Sequence, residues 1–216
     1  MPDQKKIYIV DDHPVFRKGL AQLIDEEADL SVTGEAESVT QAIQLIQRDL
    51  PDLVIVDITL KDKSGIDLIE YLKEHFPKLP ILVISMHDES LYAERVLRAG
   101  ALGYITKQEM TGNVVVALRQ VIGGKRYISS DMVDALLGKM MAGTGGEGQS
   151  PTETLSNREL EVFQLIGQGF KRGEIADLLH LSVKTIGTYR ENIKKKMNLK
   201  TATELMKHAV TWVQSQ

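Results

Sequence analysis

The sequence predicts an α/β domain, a doubly wound parallel sheet of five strands, followed by a small all-α domain of four helices. In the first part of the chain, five short apolar runs each precede a segment whose apolar residues recur at helical spacing, which is typical of βαβ units. Residues 138–154 then contain five glycines and one proline, a composition typical of a flexible linker, and only helical patterns follow. Two domains follow from this change of pattern.

The charge of the chain divides at the same place. Residues 1–150 carry 23 acidic and 16 basic side chains, whereas residues 151–216 carry 7 acidic and 10 basic ones. An acidic first part and a basic second part suit a protein of which only the second domain meets nucleic acid. The 216 residues contain no cysteine and no apolar run near 18 residues, which excludes disulfides and a membrane span. We therefore expect a cytoplasmic protein with no membrane partner.

The first two strands are predicted from apolar runs and their boundaries. Residues 7–10 form a buried run that ends at Asp11 and Asp12, and Pro14 is placed to open the helix that follows. Residues 30–36 form a weaker strand, of the kind found at a sheet edge. Ser38 and Gln41 then have the spacing of a capping box at the start of the second helix.

The remaining three strands all end in polar side chains. The apolar run 53–56 ends at Asp57, the run 81–85 ends at Ser85, and the run 102–107 ends at Lys107. Three more helices are predicted. One begins at residue 66 and ends before the prolines at 77 and 80, one contains Leu91 and Leu97 and ends at Ala99 and Gly100, and one spans residues 114–122. The predicted sheet thus has five parallel strands in about 120 residues, within the usual size of one domain.

The polar strand ends should meet at the carboxyl edge of the sheet, where ligands bind in folds of this class. Three carboxylates, Asp11, Asp12 and Asp57, would repel one another unless a cation lies among them, and a hard ion such as Mg²⁺ prefers oxygen ligands. Lys107 would add a positive charge and Ser85 a hydroxyl donor. These are the groups needed to transfer a phosphoryl group to Asp57, although any single strand-end aspartate is more often a helix cap or turn former.

The second part of the chain is predicted to be helical throughout. A short helix is expected over residues 130–141, ahead of the linker. Beyond it, a capping box at Ser156 opens a helix, followed by helices over 172–179, 183–197 and from Thr201. The predicted domain boundaries are residues 1–124, then 125–154 for the helix and linker, then 155–216.

The helix over 183–197 has two unlike faces. Ile186, Tyr189, Ile193 and Met197 fall within roughly an 80° arc, while polar residues cluster opposite. A short preceding helix and a tight turn give the helix-turn-helix outline, whose second helix enters the major groove. The predicted DNA-contacting residues are Lys184, Thr185, Gly187, Thr188, Arg190, Glu191, Lys194 and Lys195, and Lys196 and Lys200 are further candidates for phosphate contacts. A solvated, lysine-rich helix is the alternative interpretation of the same pattern.

Residues 5–124 resemble the receiver domain of two-component response regulators. The resemblance rests on the acidic pair at 11 and 12, on Val56-Asp57, on Ile84-Ser85, and on the segment Tyr104-Ile105-Thr106-Lys107. It implies a flavodoxin-like fold and phosphorylation of Asp57 by a sensor histidine kinase. It also implies Mg²⁺ or Mn²⁺ held by Asp11, Asp12, Asp57 and the backbone carbonyl of Thr59.

The same resemblance implies a switch made of Ser85, Tyr104 and Lys107. Tyr104 would turn inward when Ser85 moves to the phosphoryl group. Thr59 and His87 fall where the family tunes its dephosphorylation rate, and Lys61 departs from the family pattern by standing where a proline is frequent.

Residues 151–216 resemble the LuxR-type DNA-binding domain. The resemblance rests on Leu155-Ser156-Asn157-Arg158-Glu159, Glu174-Ile175-Ala176 and the segment from Leu181 to Ile186. The whole chain is therefore similar to response regulators of the NarL/FixJ type, transcription regulators that form homodimers when phosphorylated or bound to double-stranded DNA. Gly187, Tyr189 and Glu191 depart from the family pattern on the recognition helix.

Two other functions are compatible with parts of the pattern. One is a DNA-binding regulator that works without phosphorylation, through dimerisation alone. The other is an enzyme, a Mg²⁺-dependent phosphatase with an aspartate nucleophile, similar to haloacid dehalogenases. That class requires Asp-x-Asp, and Thr59 occupies the second position here. We therefore expect a regulator and not an enzyme.

Overall fold

The computed structural model describes residues 4–87, 89–130, 132–134 and 151–214. The chain divides into two compact units, Met1–Gly143 and Thr144–Gln216. The predicted helix over 130–141 lies mostly outside the described residues, although residues 130 and 132–134 are helical. Most of the predicted linker also lies outside them, and its last four residues, Pro151–Thr154, form a turn of 3-10 helix. The predicted domain boundaries stay predictions.

The first unit is built on a five-stranded parallel sheet with the strand order β2-β1-β3-β4-β5. All five predicted strands are present, and the strand predicted at the edge, residues 30–36, is an edge strand. The bounds are β1 Lys5–Val10, β2 Leu30–Ala36, β3 Leu53–Val56, β4 Ile81–Ser85 and β5 Gly103–Thr106. The change of strand order beside β1 puts the carboxyl ends of β1 and β3 next to each other.

Five helices alternate with these strands. Their bounds are α1 Pro14–Asp25, α2 Val39–Arg48, α3 Gly65–His75, α4 Glu89–Ala99 and α5 Met110–Ile122. Pro14 opens α1 as predicted. Helix α5 begins at Met110, four residues before the predicted start at Val114. Met110 packs against the core, but the three residues between it and Val114 are polar or small and interrupt the apolar signal.

The central strands are buried on both faces, which explains their unbroken apolar runs. Every residue of β3 is at most 1% exposed. A cluster on one side of the sheet joins inward residues of the strands to α1 and α5, among them Leu20, Ile24 and Leu118. This core fixes the strand ends that carry the polar side chains.

Both outer strands have hydrogen-bonding groups occupied on their outer sides. Tyr127, just beyond α5, pairs with Gly103 of β5: its N–H donates to the carbonyl of Leu102 at 2.9 Å, and Tyr104 donates to its carbonyl at 2.8 Å. At the other edge, Val32 of β2 donates its N–H to Asp25 Oδ1 at 2.8 Å. The pairing by Tyr127 lies outside the predicted strands.

Residues 155–214 of the second unit form four α-helices, as predicted. They are α6 Asn157–Gly167, α7 Arg172–Leu178, α8 Val183–Lys196 and α9 Ala202–Gln214. The capping box at the start of α6 is present, because Glu159 donates its N–H to Ser156 Oγ and accepts the Ser156 N–H at 2.8 Å. The buried residues of this small core include Leu160, Phe163, Ile175, Ile186, Ile193 and Leu205.

Three sequence predictions about side chains need correction. The sequence pattern of the helix predicted over 172–179 makes Ile175, Leu178 and Leu179 its apolar residues, but Leu178 is 47% exposed and Ala176 is buried. Gly187, predicted on the free face of α8, is buried. At α2 the capping box is incomplete: Ser38 accepts from Gln41, but the Gln41 side chain accepts from Glu37, one residue before the cap.

Within the described part of the chain, the helices are too short or too polar to cross a membrane.

Candidate functional site

The polar strand ends meet at one edge of the sheet because the backbone pairing continues past each strand. Asp57 donates its N–H to the carbonyl of Val10 at 2.8 Å, which fixes it beside the end of β1. Lys107 donates its N–H to the carbonyl of Ser85 at 2.8 Å, which fixes β5 beside β4 in the same way. Asp11, Asp57 and Ser85 are each at most 2% exposed. The predicted convergence of these side chains is therefore observed.

Lys107 bridges two of the carboxylates. Its Nζ lies 2.6 Å from Asp57 Oδ2 and 2.6 Å from Asp11 Oδ2, with the ammonium 4.3 Å from the centre of the Phe16 ring. Burial alone would lower the pKa of Lys107, but Asp57 and Asp11 outweigh it and raise the pKa above its ordinary value. Lys107 therefore remains charged at this edge.

Asp57 lies where ionisation is costly. Burial raises the pKa of Asp57 to about 6; the ammonium of Lys107 opposes this rise, the charge of Asp11 adds to it, and a hydrogen bond with Ser85 opposes it. One ammonium thus only partly compensates the carboxylates around it. The site is suited to a further positive charge or to loss of the negative charge on Asp57.

The donor set fits a divalent cation that prefers oxygen. Ligand atoms of Asp11, Asp12, His13 and Asp57 all lie within 4.8 Å of one another, and the three carboxylates are buried. Mg²⁺ is usually coordinated by a few carboxylate oxygens and several water molecules. His13 is an addition to the predicted set: its Nδ1 lies 2.8 Å from Asp12 Oδ1 and 3.2 Å from Asp11 Oδ1. Ligation by the Thr59 carbonyl stays a prediction.

The switch residues form a chain of contacts away from Asp57. The N–H of His87 points at Ser85 Oγ at 3.4 Å, and the hydroxyl of Tyr104 donates to the carbonyl of His87 at 2.8 Å. Tyr104 is 2% exposed, so its ring already lies inward. Thr59 Oγ1 lies 2.9 Å from His87 Nε2, which joins the two positions that the resemblance associates with dephosphorylation.

The loop after β3 is held by contacts that the sequence pattern alone does not reveal. A Cβ on Gly65 would overlap the carbonyl oxygen of Asp57, so only glycine fits beside the site. Farther along the loop, Asp62 accepts the N–H groups of Val39 and Thr40 at 2.8 and 3.0 Å. Asp62 therefore ties the loop to the start of α2, although Lys61 stands where a proline is frequent in the family.

The second candidate site lies on α8 in the other unit. Lys184, Thr188, Glu191 and Lys195 are exposed, as the helical pattern predicts. Thr185 donates its N–H to Ser182 Oγ at 3.0 Å, so it contributes to the start of the helix. Two lysines of α8 form ion pairs within this unit. Lys194 pairs with Glu191 at 2.9 Å, and Lys196 pairs with Glu159 at 2.6 Å. Lys196 thus also stabilises the capping box of α6.

Gly187 is covered by a side chain from the neighbouring helix. A Cβ on Gly187 would lie 3.0 Å from Cζ of Arg172 and still closer to one of its terminal nitrogens. Burial lowers the pKa of Arg190 on α8, and the charge of Arg172 lowers it further. Arg172 therefore lies against α8, a position that the sequence analysis missed because only the fold shows what passes over Gly187.

Two protein-family models match the chain. The family described as "Response regulator receiver domain" matches residues 7–119, and the family described as "Bacterial regulatory proteins, luxR family" matches residues 153–209. These ranges correspond to the unit with the parallel sheet and the unit with the four helices.

Similar proteins are known over nearly the whole length. The oxygen regulatory protein NreC of Staphylococcus carnosus (strain TM300) is 35% identical over 209 residues, covering 95% of this chain and 96% of that protein. RcsB of Salmonella enterica serovar Typhimurium, solved with promoter rprA and the phosphomimetic BeF3-, is 28% identical with a TM-score of 0.60, over 96% and 99% of the two chains. A LuxR-family response regulator from Aurantimonas sp. SI85-9A1 is 30% identical with a TM-score of 0.60, over 64% of this chain and 99% of that one.

Proposed function

Because this chain belongs to the two-component response regulators that carry a luxR-type DNA-binding domain, we propose that phosphorylation of Asp57 controls its binding to DNA. The family is one of DNA-binding transcription regulators. The observation that carries the proposal is the buried carboxylate of Asp57, held 2.6 Å from the ammonium of Lys107 at the carboxyl edge of the sheet. We take Asp57 as the phosphoacceptor, and Ser85, Tyr104 and Lys107 as the switch residues.

The proposed donor is the phosphohistidine of a sensor histidine kinase. A carboxylate oxygen of Asp57 forms a bond to phosphorus while the phosphorus–nitrogen bond breaks, and the electron pair leaves with the imidazole. Asp11, Asp12, Asp57 and the Thr59 carbonyl would hold Mg²⁺ or Mn²⁺, which supplies positive charge for the oxygens of the transferring group. Lys107 orients the carboxylate and offsets charge from the other side.

Phosphorylation would change the charge around Lys107, whose ammonium compensates the neighbouring carboxylates only in part. Ser85 contacts Asp57, and Tyr104 is linked to the same segment through the carbonyl of His87. A phosphoryl group on Asp57 would draw the hydroxyl of Ser85 and bias the position of this segment, which adjoins β4, β5 and α4. These elements form the proposed response to phosphorylation.

The proposed output is binding of double-stranded DNA by α8 as a homodimer. Lys184, Thr188 and Lys195 are exposed on α8. The other members of the predicted contact set are Thr185, Arg190, Glu191, Lys194 and Gly187, of which Gly187 is buried. A similar protein supports this proposal, because two RcsB dimers have been solved bound to two parallel DNAs. The proposed partners are a sensor histidine kinase and promoter DNA. Because both are reached from the cytoplasm, we propose that the protein acts there.

The test combines labelling with DNA binding. The wild-type chain should be labelled by acetyl phosphate in the presence of Mg²⁺, should bind promoter DNA more tightly when activated with beryllofluoride, and should sediment as a dimer in that state. Asp57→Ala should lose all three responses. Labelling of Asp57→Ala equal to wild type would refute the assignment of the phosphoacceptor. Equal DNA binding by both proteins would favour the phosphorylation-independent regulator instead.

A further inference from the structure

Gly187 marks the place where an arginine from another helix enters the surface of α8. The guanidinium of Arg172 occupies the space that a side chain at position 187 would fill, with Cζ 3.0 Å from the ideal Cβ position. Arg172 is exposed, so its charge lies at the surface and not within the small core of this unit. A side chain of α7 thus contributes to the surface of the recognition helix.

A second guanidinium lies close to the first. Arg190 is half-buried on α8, and the charge of Arg172 contributes to the lowering of its pKa, so the two side chains repel each other. Neither arginine forms an ion pair within the residues that the structure describes. The charge of Glu191, the nearest carboxylate along α8, opposes the lowering of the Arg190 pKa, but the Glu191 side chain pairs with Lys194 at 2.9 Å. Two adjacent guanidinium groups without a carboxylate between them favour an anion.

We propose that Arg172 and Arg190 together bind a backbone phosphate of DNA at the side of α8, and that Gly187 exists to let Arg172 reach that position. The inference rests on the proposed DNA binding and adds a contact from α7. Guanidinium groups present paired donors in the geometry that phosphate oxygens accept. The first helix of a helix-turn-helix crosses the DNA backbone, so Arg172 on α7 is on the element that meets phosphates.

The contact with Arg172 gives Gly187 a role at this surface. A glycine inside a helix costs about 1 kcal/mol relative to alanine, so it needs a compensating advantage. Alanine at this position would collide with a terminal nitrogen of Arg172 and push the guanidinium away from α8. The variants Gly187→Ala and Arg172→Ala should therefore remove the same phosphate contact by different routes.

The experiment measures binding of the full chain, activated with beryllofluoride, to two fluorescent duplexes. One duplex is enriched by the wild-type protein from a random library, and the other has a random sequence. Arg172→Ala should weaken binding to both by about tenfold, the size of one charged hydrogen-bonding contact. The slope of log K against log salt should fall by about 0.9, the value for one lost phosphate contact.

A double-mutant cycle separates this site from a general loss of charge. Gly187→Ala should lose as much affinity as Arg172→Ala, and the double variant should lose no more than either one. Arg172→Lys should retain most of the salt slope. Lys207→Ala, which removes an exposed cation from α9, is the matched control and should lose less affinity than Arg172→Ala. Thermal unfolding of each variant checks the fold.

Three outcomes would count against this site. Wild-type affinity and salt slope in Arg172→Ala would overturn it, and so would additive losses in the double variant. A loss confined to the enriched duplex, with the salt slope unchanged, would replace the phosphate contact by a base contact. Failure of the wild-type chain to bind either duplex would instead refute the proposed function itself.

Discussion

Lys107 compensates only part of the negative charge around it. Its ammonium contacts Asp11 and Asp57, each at 2.6 Å, while Asp12 lies within the same buried group. Burial raises the pKa of Asp57 to about 6, and the charge of Asp11 adds to this rise. The chemistry of the site is therefore obtained at the expense of folding stability.

Asp57→Asn should stabilise the receiver unit at neutral pH. The pKa of Asp57 rises from an ordinary 3.8 to about 6 on folding, so the folded state loses stability as pH rises from about 4 to about 6. The Asn variant should gain roughly 1–3 kcal/mol in free energy of unfolding at pH 7. This gain should shrink as pH falls from 6 to 4, where Asp57 of the wild type is protonated in the folded state.

Urea unfolding at pH 7 and at pH 4 measures this difference. Glu74→Gln removes an exposed carboxyl from α3 and serves as the control, with little change at either pH. Millimolar Mg²⁺ should stabilise the wild type more than the Asn variant. A less stable Asn variant at pH 7 would show that Lys107 outweighs the cost of burying Asp57.

At the residue scale, the sequence predicts groups that follow apolar strands and misses groups that meet only in the fold. Asp57, Ser85 and Lys107 stand directly at strand ends, so parallel topology alone brings them together. Arg172 and Gly187 lie 15 positions apart on different helices, and nothing in either local pattern indicates that they touch. Gly187 signals close approach of some group, but packing decides which one.

At the scale of elements, strands are predicted better than helix starts. A buried parallel strand is a continuous apolar run, and its limits are sharp because polar residues follow it at once. Helix α5 begins at Met110, which packs against the core, but the polar or small residues between it and Val114 obscure the apolar periodicity of the first turn. The pairing of Tyr127 with β5 is not predicted, because a single paired residue gives no pattern of alternating apolar and polar residues.

Gly103→Val should detach Tyr127 from β5. A Cβ on Gly103 would lie 2.9 Å from the carbonyl oxygen of Tyr127 and 2.9 Å from a methyl carbon of Leu82, closer than side-chain contacts allow. The amides of Tyr104 and Tyr127 should exchange hydrogen faster, and the unit should lose about 1–3 kcal/mol with the two hydrogen bonds.

Hydrogen exchange followed by mass spectrometry or NMR measures this effect. Exchange at Val54 and Ile55 in the central strand should change no more than global stability requires. Gly19→Ala is the matched control, since a Cβ there meets nothing within 4 Å. Unchanged protection of Tyr104 in the valine variant would mean that the strand adjusts without releasing Tyr127.

At the scale of the whole molecule, the chain consists of two units with separate cores. Buried residues of the sheet unit include Ile9, Ile55 and Leu82, and those of the helical unit include Phe163 and Ile193. The change of sequence pattern predicts this division, whereas the limits of each domain depend on residues between the two patterns. Under the proposed function, phosphorylation in the first unit changes the behaviour of the second.

The two units should fold when produced separately. Residues 1–134 should unfold cooperatively and accept phosphate from acetyl phosphate, because they contain the whole candidate site. Residues 151–216 should be helical and bind DNA equally with and without beryllofluoride, since they lack Asp57. Circular dichroism and fluorescence anisotropy measure these properties.

The full chain is the control for this experiment, and its DNA binding should respond to beryllofluoride. An unfolded 151–216 piece would show that the small helical core depends on the receiver. A beryllofluoride response in that piece would contradict the assignment of the switch to Asp57.

The occupied edges of the sheet have a consequence for the behaviour of the protein at high concentration. An open sheet offers unpaired backbone groups at both outer strands, and these can recruit strands of other chains into aggregates. Here Tyr127 occupies groups on β5 through its backbone, and Asp25 occupies the Val32 N–H on β2 through its carboxylate. Substitution of Asp25 by alanine should expose one such donor, so we expect resistance to aggregation to depend in part on a residue that belongs to neither candidate site.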